Sequence, residues 1–168
     1  MQWSKLRSVF HDHLAPELNG RLDVHSAAYK SGGRTWISFD GEEIVCVQAP
    51  GFTQQVFRHS TCLDLHNGQT LELGDAIYQL VHSSIETCLA SDNPLVRAVA
   101  IVDRRFGKKR VALLAAADQP ALPSMQAALL AARMVANGKP PTSVVCERCN
   151  QPLVHLWKQP NSHPTQAK

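Results

Sequence analysis

The N-terminal segment places apolar side chains at the spacing of an amphipathic α-helix. Steps of three and four residues separate them, which puts them on one stripe: Trp3, Leu6, Phe10 and Leu14. Pro16 and the pair Asn19-Gly20 follow, and both are typical of helix ends. The pattern predicts a helix over residues 3–14 that packs one face against the rest of the protein.

Residues 21–48 contain three short runs that are typical of β-strands. The first run, residues 21–30, begins with alternating apolar and polar side chains, and the second covers residues 35–39. Asp40-Gly41 is a strong hairpin signal, and the third run, residues 43–48, follows it closely. Because strands joined by short turns pair at little entropic cost, we expect an antiparallel meander of at least three strands.

The second half of the chain has helical periodicity, first within residues 75–89. Asn93-Pro94 then combines a capping residue with a favourable first helical residue. The segment Leu95–Phe106 is apolar almost throughout, so we interpret it as a central, buried helix. A strand over residues 96–103 is the alternative. Gly107 fits the position that follows a helix C-terminus.

These segments predict an α+β fold. A small antiparallel sheet, about residues 21–65 with an edge strand left open within residues 55–65, would carry the N-terminal helix and a C-terminal helical half. The last predicted helix covers residues 124–137. The hydrophobic content of 44% suffices for one core, so we expect a single domain over residues 1–138. Residues 139–168 are polar and rich in proline, which predicts a tail.

The composition indicates the compartment in which we expect the protein. The chain has no apolar run of about 18 residues, so we expect no membrane span. Its start lacks the charged-then-apolar layout of a signal peptide, which favours a cytoplasmic protein. The odd number of cysteines, 5, argues against a disulfide framework.

Charge is distributed unevenly between the two halves. Residues 1–93 carry 6 Lys and Arg against 11 Asp and Glu, whereas residues 94–168 carry 11 against 3. Such an asymmetry indicates either an anionic partner or two halves that dock on each other.

The candidate anion-binding residues are six cations within a short stretch: Arg97, Arg104, Arg105, Lys108, Lys109 and Arg110. In a helix over residues 95–106, Arg97 and Arg104 would share a face, and the cluster could neutralise several phosphates. Two structural alternatives stay open: cations that complement the C-terminal end of a helix dipole, and Arg97 and Arg104 buried against carboxylates of the acidic half. Phe106 is the one aromatic residue in the run, so the sequence does not indicate a base-stacking platform.

A second candidate site lies in the predicted tail. Thiolates and imidazoles are ligands that Zn²⁺ prefers, and the tail offers four: Cys146, Cys149, His155 and His163. Their spacing matches no common zinc finger, and a second close cysteine pair is missing. We therefore expect no cofactor, with Zn²⁺ in the tail as the alternative.

The remaining histidines do not predict a catalytic site. His11 and His13 flank Asp12 in the first helix, where positions two apart point to different faces. The sequence contains no nucleophile elbow, phosphate-binding loop, dinucleotide fingerprint or His-Glu-x-x-His motif. These observations favour a protein that is not an enzyme.

Two separated motifs occur together in the chain. Met1-Gln2-Trp3-Ser4-Lys5-Leu6 opens it, and Asp103-Arg104-Arg105-Phe106-Gly107-Lys108-Lys109-Arg110 comes later. In order and spacing they resemble an uncharacterised family of small bacterial proteins that open with Met-x-Trp-Ser-Lys-Leu and carry a later Asp-Arg-Arg-x-Gly-Lys-Arg-Arg element. The resemblance covers roughly residues 1–115 and implies no activity or catalytic residue.

The sequence as a whole favours a non-enzymatic module that binds an anionic partner, with nucleic acid as the first choice, through the six cations. Two alternatives from other classes remain. One is a small metal-assisted or acid–base hydrolase, and the other is a module that binds a protein partner or a second copy of itself.

Overall fold

A computed structural model describes residues 2–29, 32–48, 73–116, 122, 124–142 and 144–145 of the chain. Within these ranges a short 3₁₀ turn at Pro16–Leu18 links the first helix to the sheet. The helices and strands follow in the order α1 (Trp3–His13), β1 (Leu22–Tyr29), β2 (Gly32–Phe39), β3 (Glu42–Gln48), α2 (Leu73–His82), α3 (Ile85–Leu89), α4 (Pro94–Ala100), α5 (Lys108–Leu114) and α6 (Ser124–Ala136). The predicted α+β fold is confirmed.

The sheet is the predicted antiparallel meander, with strand order β1-β2-β3. Asp40 and Gly41 have φ angles of 51° and 83°, which the tight turn between β2 and β3 requires at both positions. On the inner face, Ile37 pairs with Val24 of β1 and with Val45 of β3, and all three are fully buried. Alternation along the strands therefore directs one face of the sheet into the core, as the sequence predicts.

Helices α1, α2, α4 and α6 supply the rest of the core. The stripe of α1 is buried as predicted, since Leu6 and Phe10 have almost no exposed surface. Helix α6 is rich in alanine, and its small side chains let it approach α4, β3 and the 3₁₀ turn closely. The core therefore extends from the inner face of the sheet through α4 to α6.

The predicted helix over residues 75–89 is two helices. Ser83 and Ser84 separate α2 from α3, and the Ser84 hydroxyl caps α3 by accepting a hydrogen bond of 3.1 Å from the backbone N–H of Thr87. Serine at this position offers the backbone an alternative to continuing the helix. The apolar period runs on through the break, so periodicity alone did not reveal it.

The predicted helix over Leu95–Phe106 is wrong in its second half, and the alternative strand is also absent from these residues. Helix α4 ends at Ala100, and turns carry the chain to Phe106. There the backbone pairs with the end of α1, because Ala15 N–H donates to Val102 O at 2.9 Å and Arg104 N–H donates to His13 O at 2.8 Å. Gly107 consequently precedes a helix, α5, which the sequence did not reveal.

Several predictions fall outside the described residues. These are the edge strand within residues 55–65 and the four candidate zinc ligands Cys146, Cys149, His155 and His163. In the part of the chain that the structure describes, no helix is long and apolar enough to cross a membrane.

Shortening buried side chains in α4 and directly after it should destabilise the protein. Val99 and Ile101 are buried with at most 1% of their surface exposed, so Val99→Ala and Ile101→Ala each remove buried methyl groups and leave a cavity. We expect each variant to lose about 1–4 kcal/mol of unfolding free energy. Denaturant titration measures this loss, and midpoints equal to that of the parent in both variants would contradict the burial.

Candidate functional site

The structure divides the six cations of the candidate anion-binding surface into two groups. Three of them, Arg97, Arg105 and Arg110, form hydrogen bonds or ion pairs within the protein. The other three, Arg104, Lys108 and Lys109, are exposed, and their side chains make no hydrogen bond or ion pair with the residues that the structure describes. The two groups therefore have different roles.

Arg105 holds the end of α2. Its guanidinium donates to the carbonyl oxygens of Leu80 and Ser83, both at 2.7 Å, and these carbonyls belong to the end of α2 and the turn that follows it. The same group donates to both carboxylate oxygens of Asp103, at 2.9 and 2.8 Å. Hydrogen bonding to Asp103 raises the pKa of Arg105, although its partial burial opposes the shift. Arg105 thus supports the fold, and its donors are directed inward.

Asp103 is the centre of this arrangement. Its side chain is fully buried, and it accepts a further hydrogen bond of 2.7 Å from the backbone N–H of Arg105. This local bond replaces the helical pattern after Ala100 and explains the turn there. A buried carboxylate is tolerated only with strong donors, and Arg105 provides them.

Arg97 and Arg110 make fewer hydrogen bonds with the described residues than Arg105 does. Arg97 donates to the backbone carbonyl of Ser91. Arg110 forms an ion pair of 2.9 Å with Glu86 of α3, in which both side chains are substantially exposed. The hydrogen bond from Arg110 lowers the pKa of Glu86. Among the described residues, neither Arg97 nor Arg104 is buried against a carboxylate, so this alternative from the sequence is wrong for both. Arg110 is the cation of this run that meets the acidic half, and it does so in an exposed pair.

The exposed trio of Arg104, Lys108 and Lys109 surrounds Gly107, where α5 begins. Lys108 and Lys109 are the first two residues of α5, and no acidic side chain lies in its first turn. Cations are unfavourable at the N-terminal end of a helix dipole, so the interpretation of this run as a complement to a helix C-terminus is wrong for Lys108 and Lys109. The trio is a concentration of positive charge that the described part of the protein does not neutralise.

A second buried ionic group was not anticipated from the sequence. Arg133 of α6 is 2% exposed, and it donates to Glu17 at 3.0 Å and to the carbonyls of Ile101 and Asp103. Asn137 donates to the same oxygen of Glu17 at 3.0 Å. Burial alone would raise the pKa of Glu17, but the hydrogen bonds from Asn137 and Arg133 lower it. The sequence signal for this buried group is Arg133 itself, a single arginine within the apolar pattern of α6.

The histidines of α1 point to different partners, as their spacing predicts. His11 and Arg7 both hydrogen-bond Asp23, with 2.9 Å between His11 Nε2 and the carboxylate. Burial would raise the pKa of Asp23, yet these bonds hold it at about 2. His13 Nδ1 lies 3.5 Å from Asp103 Oδ2, at the limit for a hydrogen bond, and has no hydrogen-bond partner among the described residues.

Metal-ligating side chains do not gather in the described ranges. No group of three or more His, Cys, Asp or Glu side chains there could hold a metal ion. Cys88 is buried, and burial raises the pKa of its thiol, so it is a poor nucleophile.

Two grooves lie on the surface of the described part of the protein, and Lys108 lines one of them. One, of about 450 Å³, lies between α5 and α6 and is lined by Lys108, Val111, Ala112, Ala115, Met134, Asn137 and Lys139. The other, of about 650 Å³, lies between α1 and α2 and is lined by Gln2, Lys5, Val9, Tyr78, Val81 and His82. Each groove combines apolar side chains with at least one lysine, and the described residues that line them include no carboxylate.

Comparison with known proteins gives a family without a described activity. No curated protein and no solved structure shows significant similarity to the chain. A family model matches residues 2–73 and 58–133, which together span most of the chain. The chain therefore belongs to the SF0329 protein family, an uncharacterised family, in agreement with the resemblance that the sequence carries.

Proposed function

We propose that this protein is a non-enzymatic module that binds a polyanion, with nucleic acid as the first choice, through Arg104, Lys108 and Lys109. The observation that supports the proposal is the lack of any partner for these three side chains within the described residues, while the neighbouring arginines are held internally. Each exposed cation that meets a phosphate releases condensed counterions, and this release strengthens binding at low salt.

The alternatives from other functional classes have less support. Among the described residues, the large apolar side chains that are exposed are Tyr78 of α2 and Leu113 of α5. Single exposed apolar side chains are not by themselves the large patch that marks a protein interface. His13 and Asp103 lie close together, but the described residues contain no group of three or more side chains that could hold a metal ion, and the nearby Cys88 thiol is buried with a raised pKa. Polyanion binding is the function that the arrangement of charges favours.

Removing the two lysines should weaken binding in a salt-dependent way. We expect Lys108→Gln/Lys109→Gln to lower the affinity for duplex oligonucleotides of unrelated sequence alike, since phosphate contacts carry no sequence information. The slope of log affinity against log salt should become shallower by roughly two units in this double variant. Adding Arg104→Gln should reduce the slope by roughly one further unit. Fluorescence anisotropy at several salt concentrations measures both quantities.

A matched control removes the same charge elsewhere. Arg7 and Arg21 pair with Asp23 and Asp40, so Arg7→Gln/Arg21→Gln lowers the net charge equally without touching the trio. This control should retain the salt slope of the parent. The proposal fails if the parent binds no oligonucleotide at low salt, or if the control loses as much affinity as the lysine variant.

A further inference from the structure

Tyr78 is an aromatic side chain that the core does not use. It lies on α2, and 51% of its surface is exposed. Its ring stacks on that of His82, one helical turn later, with 4.1 Å between the ring centroids and 27° between the planes. One face of the tyrosine is therefore covered by the histidine, so the exposed surface belongs to the opposite face and the edges.

The position of the histidine ring is itself fixed. His82 Nδ1 lies 2.8 Å from the carbonyl oxygen of Tyr78. Because a carbonyl oxygen only accepts, Nδ1 carries the proton and donates it. This hydrogen bond locks the histidine beneath the tyrosine, and little rotamer freedom remains for the pair to lose when a ligand stacks on it.

The pair stands in the groove between α1 and α2, which also contains a cation. Lys5 lines this groove with Val9 and Val81, and its side chain makes no hydrogen bond or ion pair with the described residues. An exposed aromatic face and a free ammonium group in one groove match the two parts of a nucleotide, a flat base and a phosphate. None of the described residues in the lining is a carboxylate that would repel the phosphate.

The segment that carries the exposed trio is bonded to the ends of both helices that form the groove. Helix α2 ends at His82, and Arg105 binds the carbonyl of the next residue, Ser83. Helix α1 ends at His13, whose carbonyl accepts the backbone N–H of Arg104. The chain that carries the trio is thus anchored where both helices of the groove end.

We infer that Tyr78, backed by His82, is a base-stacking platform and that the polyanion is a single-stranded nucleic acid whose phosphates contact Lys5 and the exposed trio. The inference rests on the proposed function and adds to it the class of nucleic acid. Stacking on an aromatic side chain tolerates every base, so the site reads no sequence. A duplex keeps its bases paired and cannot use the platform.

The experiment separates base contacts from phosphate contacts with three probes: labelled octathymidylate, an abasic strand with the same number of phosphates, and a short duplex. We expect the parent to bind octathymidylate more tightly than the abasic strand. Tyr78→Ala should weaken octathymidylate binding by about 5- to 100-fold and leave the other two probes unchanged. Tyr78→Phe should retain the parent affinity, because it keeps the aromatic face.

Tyr78→Leu tests for a merely apolar contact. It preserves side-chain volume without an aromatic face, so we expect the same loss as with alanine, and retention of binding would overturn the stacking role. Equal binding of the abasic strand and octathymidylate by the parent would overturn the inference and leave the proposed polyanion function intact. If the parent binds none of the three probes at low salt, the proposed function itself fails.

Discussion

Asp103→Ala is expected to lower the unfolding free energy by about 3–5 kcal/mol. The carboxylate is fully buried and accepts from the guanidinium and from the backbone N–H of Arg105. Its removal leaves the charge of Arg105 without its counterion, and the turn after α4 loses the bond that shapes it. Because the same guanidinium holds two carbonyls at the end of α2, the effect should reach that helix as well. Denaturant titration followed by circular dichroism measures the loss.

Two variants make this result interpretable. Asp92 is exposed, and Asp92→Ala removes a carboxylate of the same size at little expected change in stability. Asp103→Asn retains an acceptor oxygen but removes the charge, so we expect a loss between those of the two alanine variants. A loss for Asp103→Ala as small as that for Asp92→Ala would show that the buried ion pair does not support the fold.

Arg133→Met should be the second strongly destabilising change, with an expected loss of about 3–5 kcal/mol. Methionine fills much of the space, but Glu17 loses its counterion, and the carbonyls of Ile101 and Asp103 lose a donor. The pKa of Glu17 is lowered from 4.5 in the folded protein, so its ionised form contributes stability above that pH, and the contribution disappears as the pH falls through the folded pKa. The difference between parent and variant should therefore be larger at neutral pH than in acid.

Exposed Arg104 supplies the matched control for this change. Arg104→Met removes the same side chain from the surface and should leave the denaturation midpoint nearly unchanged at both pH values. Arg133→Lys, which keeps the charge but offers fewer fixed donors, should give an intermediate loss. Equal stability of Arg133→Met and Arg104→Met, or a difference that does not depend on pH, would contradict the assigned role.

The motif Asp103-Arg104-Arg105 thus contains two kinds of residue. Asp103 and Arg105 face inward and connect the chain after α4 to the end of α2, whereas Arg104 faces outward. The motif is partly a structural element. We therefore expect substitution of Asp103 or Arg105 to lower the stability of the protein, and substitution of Arg104 to lower its affinity for a polyanion.

Local sequence determined the elements whose causes lie within a few residues. The turn at Asp40-Gly41 forms because both residues adopt positive φ, and the strands on either side pair across it. Asn93 caps α4 by accepting from the N–H of Leu95 at 2.9 Å, with Pro94 as the first helical residue. The apolar stripe of α1 likewise follows from its period.

Contacts between distant residues determined where α4 ends and which arginines are bound within the protein. Helix α4 ends at Ala100, although the apolar pattern continues, because the chain beyond it bonds to the end of α1 and because Asp103 bonds locally. The arginines that support the fold bind partners far along the chain. Arg133 hydrogen-bonds Glu17, which is 116 residues away, and Arg105 hydrogen-bonds Leu80, which is 25 residues away. A run of cations looks uniform in sequence. Which of them remain available to a ligand depends on where folding brings carboxylates and helix ends, because only those partners satisfy a guanidinium within the protein.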